Sequence, residues 1–250
     1  MKLPLTALLC LCAVLAAGCG RRESAPTARA AAEPAPREWP RGRSAPLRVT
    51  DQLILSIPLA YELSALHHGE AAHALMFTQS DRAEVQFDFF LPDFTGYTLQ
   101  NYQNEFDEHK VEVVYLHAGD PHEADPDAPG EYPPNMLKRA LQDLFNPKDH
   151  QDLYGLRCYR GRGLTDRMAC YGRRDAASHE DILLYVAVPP YAPGAFPVMQ
   201  ARYFTGRFGG VRIAWRTHVS NLPRWHDIDT EVWKLIDEWN VARPAAAHAP

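Results

Sequence analysis

Residues 209–240 read GGVRIAWRTHVSNLPRWHDIDTEVWKLIDEWN, and the hydrophobic period changes along them. Over 209–218 the period is two. Val211, Ile213 and Trp215 fall on one side, and Arg212, Ala214 and Arg216 fall on the other. That alternation predicts a strand with one face in a core. Over 223–240 the period lengthens to that of a helix, with Trp225, Ile228, Val232, Leu235, Ile236 and Trp239 on one stripe. Trp225 and Trp239 belong to the stripe and Trp233 lies beside it, so core packing accounts for these indoles better than a ligand platform does.

Working outward, further strands are predicted at 48–58, 82–91, 110–117, 153–160, 166–173 and 181–189, each rich in β-branched or aromatic residues. A second helix is expected from Asn135, behind Pro133-Pro134. Met136, Leu137, Ala140, Leu141 and Leu144 recur at helical spacing before Asn146-Pro147 stops the run. The stretch 59–75 offers a third. Short strands feeding a few helices, without regular βαβ alternation, predict an α+β fold with a mostly antiparallel sheet and two or three packed helices. With 250 residues, 46% of them hydrophobic and 23% charged, the chain has the make-up of a folded domain rather than of a disordered or polytopic membrane protein. Its formal net charge of −5 argues against a general nucleic-acid binder.

The first residues, MKLPLTALLCLCAVLAAGCG, place Lys2 before an apolar stretch from Leu3 to Leu15, then Ala16, Ala17 and Gly18 ahead of Cys19. The run is short for a membrane-spanning helix. It resembles a bacterial lipoprotein signal, whose cysteine is acylated on its thiol and becomes the mature N-terminus; it departs from that pattern at Ala16, where Leu is usual. An ordinary secretory signal cut nearby is the alternative. Several acyl chains on Cys19, at about 0.8 kcal/mol per buried methylene, would give stable anchoring. Gly20 rather than Asp after the cysteine points, by the same resemblance, to the outer membrane facing the periplasm.

Cleavage would remove Cys10 and Cys12 and modify Cys19, leaving Cys158 and Cys170 as thiols in an oxidising compartment. A disulfide between them is expected. The organisation that follows is a signal peptide at 1–18, a tether at 19–46, a globular domain at 47–243 and a disordered tail at 244–250. The tether has five prolines, seven alanines and an excess of three positive charges over Gly20–Pro46. With Lys2 also set aside, the chain from Leu47 onward carries about nine excess negative charges.

No local motif carries catalysis. His67, His68, Glu70 and His73 do not have the spacing of a zinc-protease helix, whose two histidines are four apart with Glu directly after the first. No Gly-x-Ser-x-Gly elbow is present, and Gly161-Arg162-Gly163 reads as the turn between the two cysteine strands rather than a phosphate loop. No metal or cofactor is expected. Two charged regions stand out instead. Residues 105–131 hold nine acids against Lys110 alone, and the stretch from Gly119 to Pro134 reads as a long exposed loop. Its Asp120, Glu123, Asp125, Asp127 and Glu131 are candidates for binding a partner. They lack the loop-and-glycine pattern of an EF-hand. The cysteine hairpin is basic, with Arg157, Arg160, Arg162, Arg167, Arg173 and Arg174. These arginines either match acids within the molecule, as in the acidic loop, or face anionic lipid or lipopolysaccharide; internal matching is the simpler expectation.

The segment GGVRIAWRTHVSNLPRWHDIDTEVWKLIDEWNV, at 209–241, together with the lipoprotein signal, resembles periplasmic immunity lipoproteins of type VI secretion systems, in particular those that guard against antibacterial phospholipase effectors. The resemblance covers about 35 residues plus the signal. It implies a non-enzymatic inhibitor, held at the membrane through Cys19, that binds a toxin lipase and blocks substrate access. The competing expectations are an envelope scaffold or assembly lipoprotein without catalytic activity, and a lipoprotein enzyme acting on cell wall or lipid, in which single acids such as Glu70 or Asp229 would be essential.

Overall fold

A computed structural model of the chain describes residues 39–65, 83–104, 106–163, 166–175 and 180–242. Among these, the strands are β1 (Leu47–Thr50), β2 (Leu53–Leu55), β3 (Val85–Phe90), β4 (Lys110–Ala118), β5 (Phe145–Leu153), β6 (Leu156–Gly161), β7 (Arg167–Asp175), β8 (Glu180–Ala187), β9 (Val198–Thr205) and β10 (Val211–His218). The helices are α1 (Pro133–Asp143) and α2 (Trp225–Trp239). β1 and β2 form a hairpin, and the other eight strands form one sheet in the order β3-β4-β10-β9-β8-β7-β6-β5. Every neighbouring pair is antiparallel. The α+β arrangement around an antiparallel sheet is therefore present.

The period-two pattern of β10 sets the layers. Val211, Ile213, Trp215 and Thr217 are buried on one face, where they meet Met199, Ala201 and Tyr203 of β9 and the apolar stripe of α2. The β1–β2 hairpin closes the same core. It is held to the chain after α2 by Val241 N donating to Ile54 O at 2.7 Å, and Ile54 N donates to Asn240 Oδ1 at 3.1 Å. A fully buried Leu, Ile or Phe contributes roughly 1.5–3 kcal/mol, so this face carries most of the stability. The opposite face is different. A small cluster of Ala140, Phe145, Ala169 and Leu183 seats α1 over one end, and the remainder presents Arg202, Arg212, Arg216, Gln200, Tyr115 and His117, the residues out of phase with the core.

Strands β5 to β10 are consecutive neighbours, but β4 lies against β10, five strands from β5. The chain from Gly119 to Leu144 must therefore cross the second face, and it carries α1 on the way.

Several expectations are corrected. The single strand predicted at 48–58 is a hairpin that turns at Asp51-Gln52, where Gln52 N donates to Thr50 Oγ1 at 3.2 Å. β5 and β9 were not expected. β5, FNPKDHQDL, is polar and contains Pro147, which an edge strand tolerates. β9 alternates well, but a Pro- and Gly-rich run precedes it. Residues 39–46, placed by composition in the tether, pack on the body. Trp39 stacks on Tyr97 at 5.1 Å and its indole donates to Leu59 O at 2.8 Å, while Ser44 N donates to Ile57 O at 2.7 Å. Of the helix expected at 59–75, residues Leu59–Tyr61 form a single 3-10 turn. Its continuation beyond residue 65, the histidine group 67–73, the signal with Cys19, the tether to residue 38 and the tail 244–250 lie outside the described residues.

Candidate interaction face

The segment crossing the second face is fastened by two acids that sequence reading placed in an exposed loop. Glu123 is 4% exposed and accepts from Arg212 Nε of β10 at 2.6 Å, from Asp120 N at 3.1 Å and from Glu131 N at 2.8 Å. Glu131 accepts from Tyr115 Oη of β4 at 2.9 Å and from Arg202 Nε of β9. The backbone joins in. β8 and β9 pair only over Leu184–Val186 and Met199–Ala201, and past that point Phe204 N donates to Glu131 O at 2.8 Å. Two glycines make the close approach possible. A Cβ on Gly119 would lie 2.7 Å from the Phe204 ring, and one on Gly130, whose φ is +137°, would lie 2.4 Å from Glu123 Oε2.

The five acids named from sequence thus divide. Glu123 and Glu131 are buried and face inward, correcting the expectation that they project. Asp120, Asp125 and Asp127 are exposed. Asp120 caps the 3-10 turn Pro121–Ala124, accepting from His122 N at 3.0 Å. Asp125 lies 3.4 Å from His122, and Asp127 pairs with Lys138 of α1. Because a carboxylate in water gains little from an exposed pair, these three remain available at the rim.

Between α1 and the sheet lies a cavity of about 480 Å³, bounded by Glu131, Arg139, Asp143, Tyr185, Arg202 and Arg212 among others. A second, of about 250 Å³, sits beneath residues 188–197 and shares Tyr185, with Gln200 and Phe196 in its wall. The two open along one face. Burial pushes the Tyr115 phenol well above its ordinary value, and the Glu131 carboxylate beside it pushes the same way. Burial also raises Tyr185, against the pull of Arg202 and Arg139. For Arg202, burial works against the charge, but contact with Glu131 outweighs it and the pKa rises. Arg202 stays charged, and the Tyr115 and Tyr185 phenols stay neutral.

Two other polar clusters have structural tasks. On β3, β4 and β10, Lys110 Nζ lies 2.8 Å from Glu112 and 3.4 Å from Asp88, Tyr97 donates to Asp88, and Arg216 donates to Glu112. In the core, Asp229 accepts from Trp215 Nε1 at 2.9 Å, Tyr203 Oη at 2.6 Å and Arg174 Nε at 2.5 Å. Among the described residues no group of three or more His, Cys, Asp or Glu is placed to hold a metal ion.

Cys158 and Cys170 are bonded across β6 and β7, and both are fully buried. Arginines of that hairpin meet partners within the molecule, but not the five acids named from sequence. Arg157 pairs with Asp152, Arg160 with Asp149, and Arg173 with Asp181; Arg162 donates to the carbonyls of Leu141, Gln142 and Phe145. Trp233, expected at the margin of α2, is 3% exposed. It stacks under the guanidinium of Arg207 at 4.5 Å and donates to Tyr203 Oη at 2.7 Å.

No protein-family model and no curated protein matches the chain. Among solved structures it is similar to that of Smlt3025, an immunity protein of the Stenotrophomonas maltophilia type IV secretion system. The two are 11% identical, the match covers 79% of this chain and 94% of that one, and the TM-score is 0.45.

Sequence reading missed Arg139, Arg202, Tyr115 and Tyr185 as members of one face. A usable signal existed in β10. Arg212 and Arg216 alternate with core residues, and arginines on one side of a central strand require either water or buried acids to meet them.

Proposed function

We propose that this chain is an immunity lipoprotein that binds and neutralises a toxic phospholipase effector of a type VI secretion system, on the periplasmic side of the envelope. The observation that carries the proposal is the second face of the sheet. It is open between α1 and the 188–197 segment, rich in arginine and tyrosine, and held in place by carboxylates buried behind it. Arg and Tyr are the side chains that most often dominate protein–protein interfaces, and side chains fixed before contact lose less entropy on binding. The resemblance of residues 209–241 supplies the class of partner, and the leader with Cys19 supplies the location. A Cys158–Cys170 bond suits an oxidising compartment. Activity by binding, without catalysis, follows from the same reading. The exposed Asp120, Asp125 and Asp127 would steer a basic part of the effector to the edge of the face, while Glu123 and Glu131 hold its arginines in place.

The test is to mix the purified full-length chain, in neutral detergent, with the lipase encoded beside its gene. A stable complex and loss of lipase activity are expected; full activity with no complex would overturn the proposal. Anchoring is checked separately. Cys19→Ser is expected to move the chain from the membrane to the soluble fraction, and mass spectrometry of the native protein is expected to find an acylated Cys19 at the start.

A further inference from the structure

The acids singled out from sequence do more than fasten the crossing segment. They decide which charge the face presents. At both ion pairs the carboxylate lies behind and the guanidinium in front: the Glu131 side chain is 9% exposed against 51% for Arg202, and Glu123 is 4% exposed against 34% for Arg212. In each arginine it is Nε that meets the buried acid. The bonds to Glu131 and Glu123 run through Nε and not through the terminal amino groups, and the Tyr115 hydroxyl also lies beside the Arg202 guanidinium. The two arginines come from adjacent strands, β9 and β10, with Ala214 opposite Arg202 and Phe204 opposite Arg212. Both line the 480 Å³ cavity, which Arg139 enters from α1. Arg139 donates to the carbonyls of Ala128, at 2.9 Å, and Gly130, at 2.5 Å, so its charge is not matched by an acid there. Asp143 and Glu131 line the same cavity as opposing charges, and Glu131 is already paired with Arg202. Tyr185 forms an aromatic wall, and the Arg202 guanidinium sits 5.9 Å from the Tyr115 ring centroid.

A guanidinium that meets its buried acid through Nε turns its terminal amino groups away from that acid, where they can meet one more planar anion. Carboxylates suit it, because the fork of parallel N–H groups matches their two oxygens. We propose that this cavity seats a carboxylate side chain on an acidic segment of the effector, gripped by Arg202 and Arg212, with the neighbouring residue of that segment packing on Tyr185. This rests on the reading that the partner is a protein effector, and it names the chemistry of the contact. The polarity is the reverse of what the acidic composition of residues 105–131 suggests, since Glu123 and Glu131 lie behind the arginines they pair with.

The experiment has two arms. In the first, the full-length chain with ¹⁵N-labelled arginine, in neutral detergent, is titrated with capped tetraglutamate and, separately, capped tetralysine. The Nε–H signals of Arg202 and Arg212 are expected to shift and saturate with tetraglutamate and to stay in place with tetralysine. In the second, the affinity of the adjacently encoded lipase is compared between wild type and the double variant R202K/R212K. That variant keeps a cation against each buried acid but removes the fork, and a matched melting curve confirms that it folds. At least a tenfold loss of affinity is expected, with R160K, on the remote β6, unchanged. Signals unmoved by tetraglutamate, or an affinity within twofold of wild type in the double variant, overturn the inference and leave an effector complex standing. A lipase that never binds, alongside signals that move with tetraglutamate, removes the immunity reading and supports the carboxylate seat on its own.

Discussion

Asp229 gathers more of the buried polar contacts of the core than its neighbours, with Trp215, Tyr203 and Arg174 all donating to one carboxylate. Arg174 also meets Glu180 and lies over the Tyr203 and Trp233 rings, and its pKa is raised because these partners outweigh the cost of burial. Asp229→Ala would leave the buried Trp215 and Tyr203 donors without their acceptor and Arg174 with Glu180 as its remaining acid, at a cost of about 3–5 kcal/mol, read as a lowered urea midpoint. Binding of the proposed effector, measured where both proteins remain folded, should be unchanged. Asp88 and Glu112, opposite each other on β3 and β4, make a paired prediction of opposite sign. Burial raises the Asp88 pKa despite Lys110 and Tyr97. Its contribution to stability is therefore greatest below the ordinary carboxylate value and is lost as pH rises through the raised one. For Glu112 burial also pushes upward, but the hydrogen bonds from Arg216 and Lys110 prevail and the pKa is lowered. Its contribution is present above the ordinary value and is lost as pH falls. Urea midpoints measured between about pH 3 and 7 should show the gap between wild type and D88N shrinking as pH rises, and the gap to E112Q growing.

Among elements, the disulfide joins strands that are already hydrogen-bonded neighbours, with a sequence separation of 12. Closing so short a loop removes little denatured-state entropy, so reduction is expected to cost about 2–3 kcal/mol, measured as the shift in urea midpoint with and without reductant. Its two cysteines could be paired by elimination, because the expected leader and anchor would account for the other three. β10 and α2 could be read because each carries a complete local period. β5 could not, because an edge strand with a polar face needs no apolar alternation and Pro147 argues against a strand until its place at the edge is known. The hairpin at 48–58 was hidden for a related reason. Leu47, Val49, Leu53, Leu55 and Ile57 are all buried, and a turn between two buried strands interrupts the apolar pattern hardly at all.

For the molecule as a whole, Trp39 and the crossing segment matter most. Trp39 is stacked on Tyr97 and hydrogen-bonded to Leu59 O, so Trp39→Ala is expected to cost about 2–3 kcal/mol through lost burial, stacking and one hydrogen bond, seen as a lower urea midpoint. A residue in a free tether would leave that midpoint in place. The chain's own order of residues determined the strand and helix periods of 209–240, the α+β class, the cysteine pair and the lack of a local catalytic motif. These depend on neighbours within a few positions, or on counting. Only the tertiary structure decided that β4 lies beside β10, that residues 119–144 must cross a face as a result, and that two acids of the crossing turn inward. The pairs that set this face, Glu123 with Arg212 and Glu131 with Arg202, are 89 and 71 residues apart. Charge along a sequence says how many acids a segment has, but burial against a distant strand decides which of them water, or a partner, can reach.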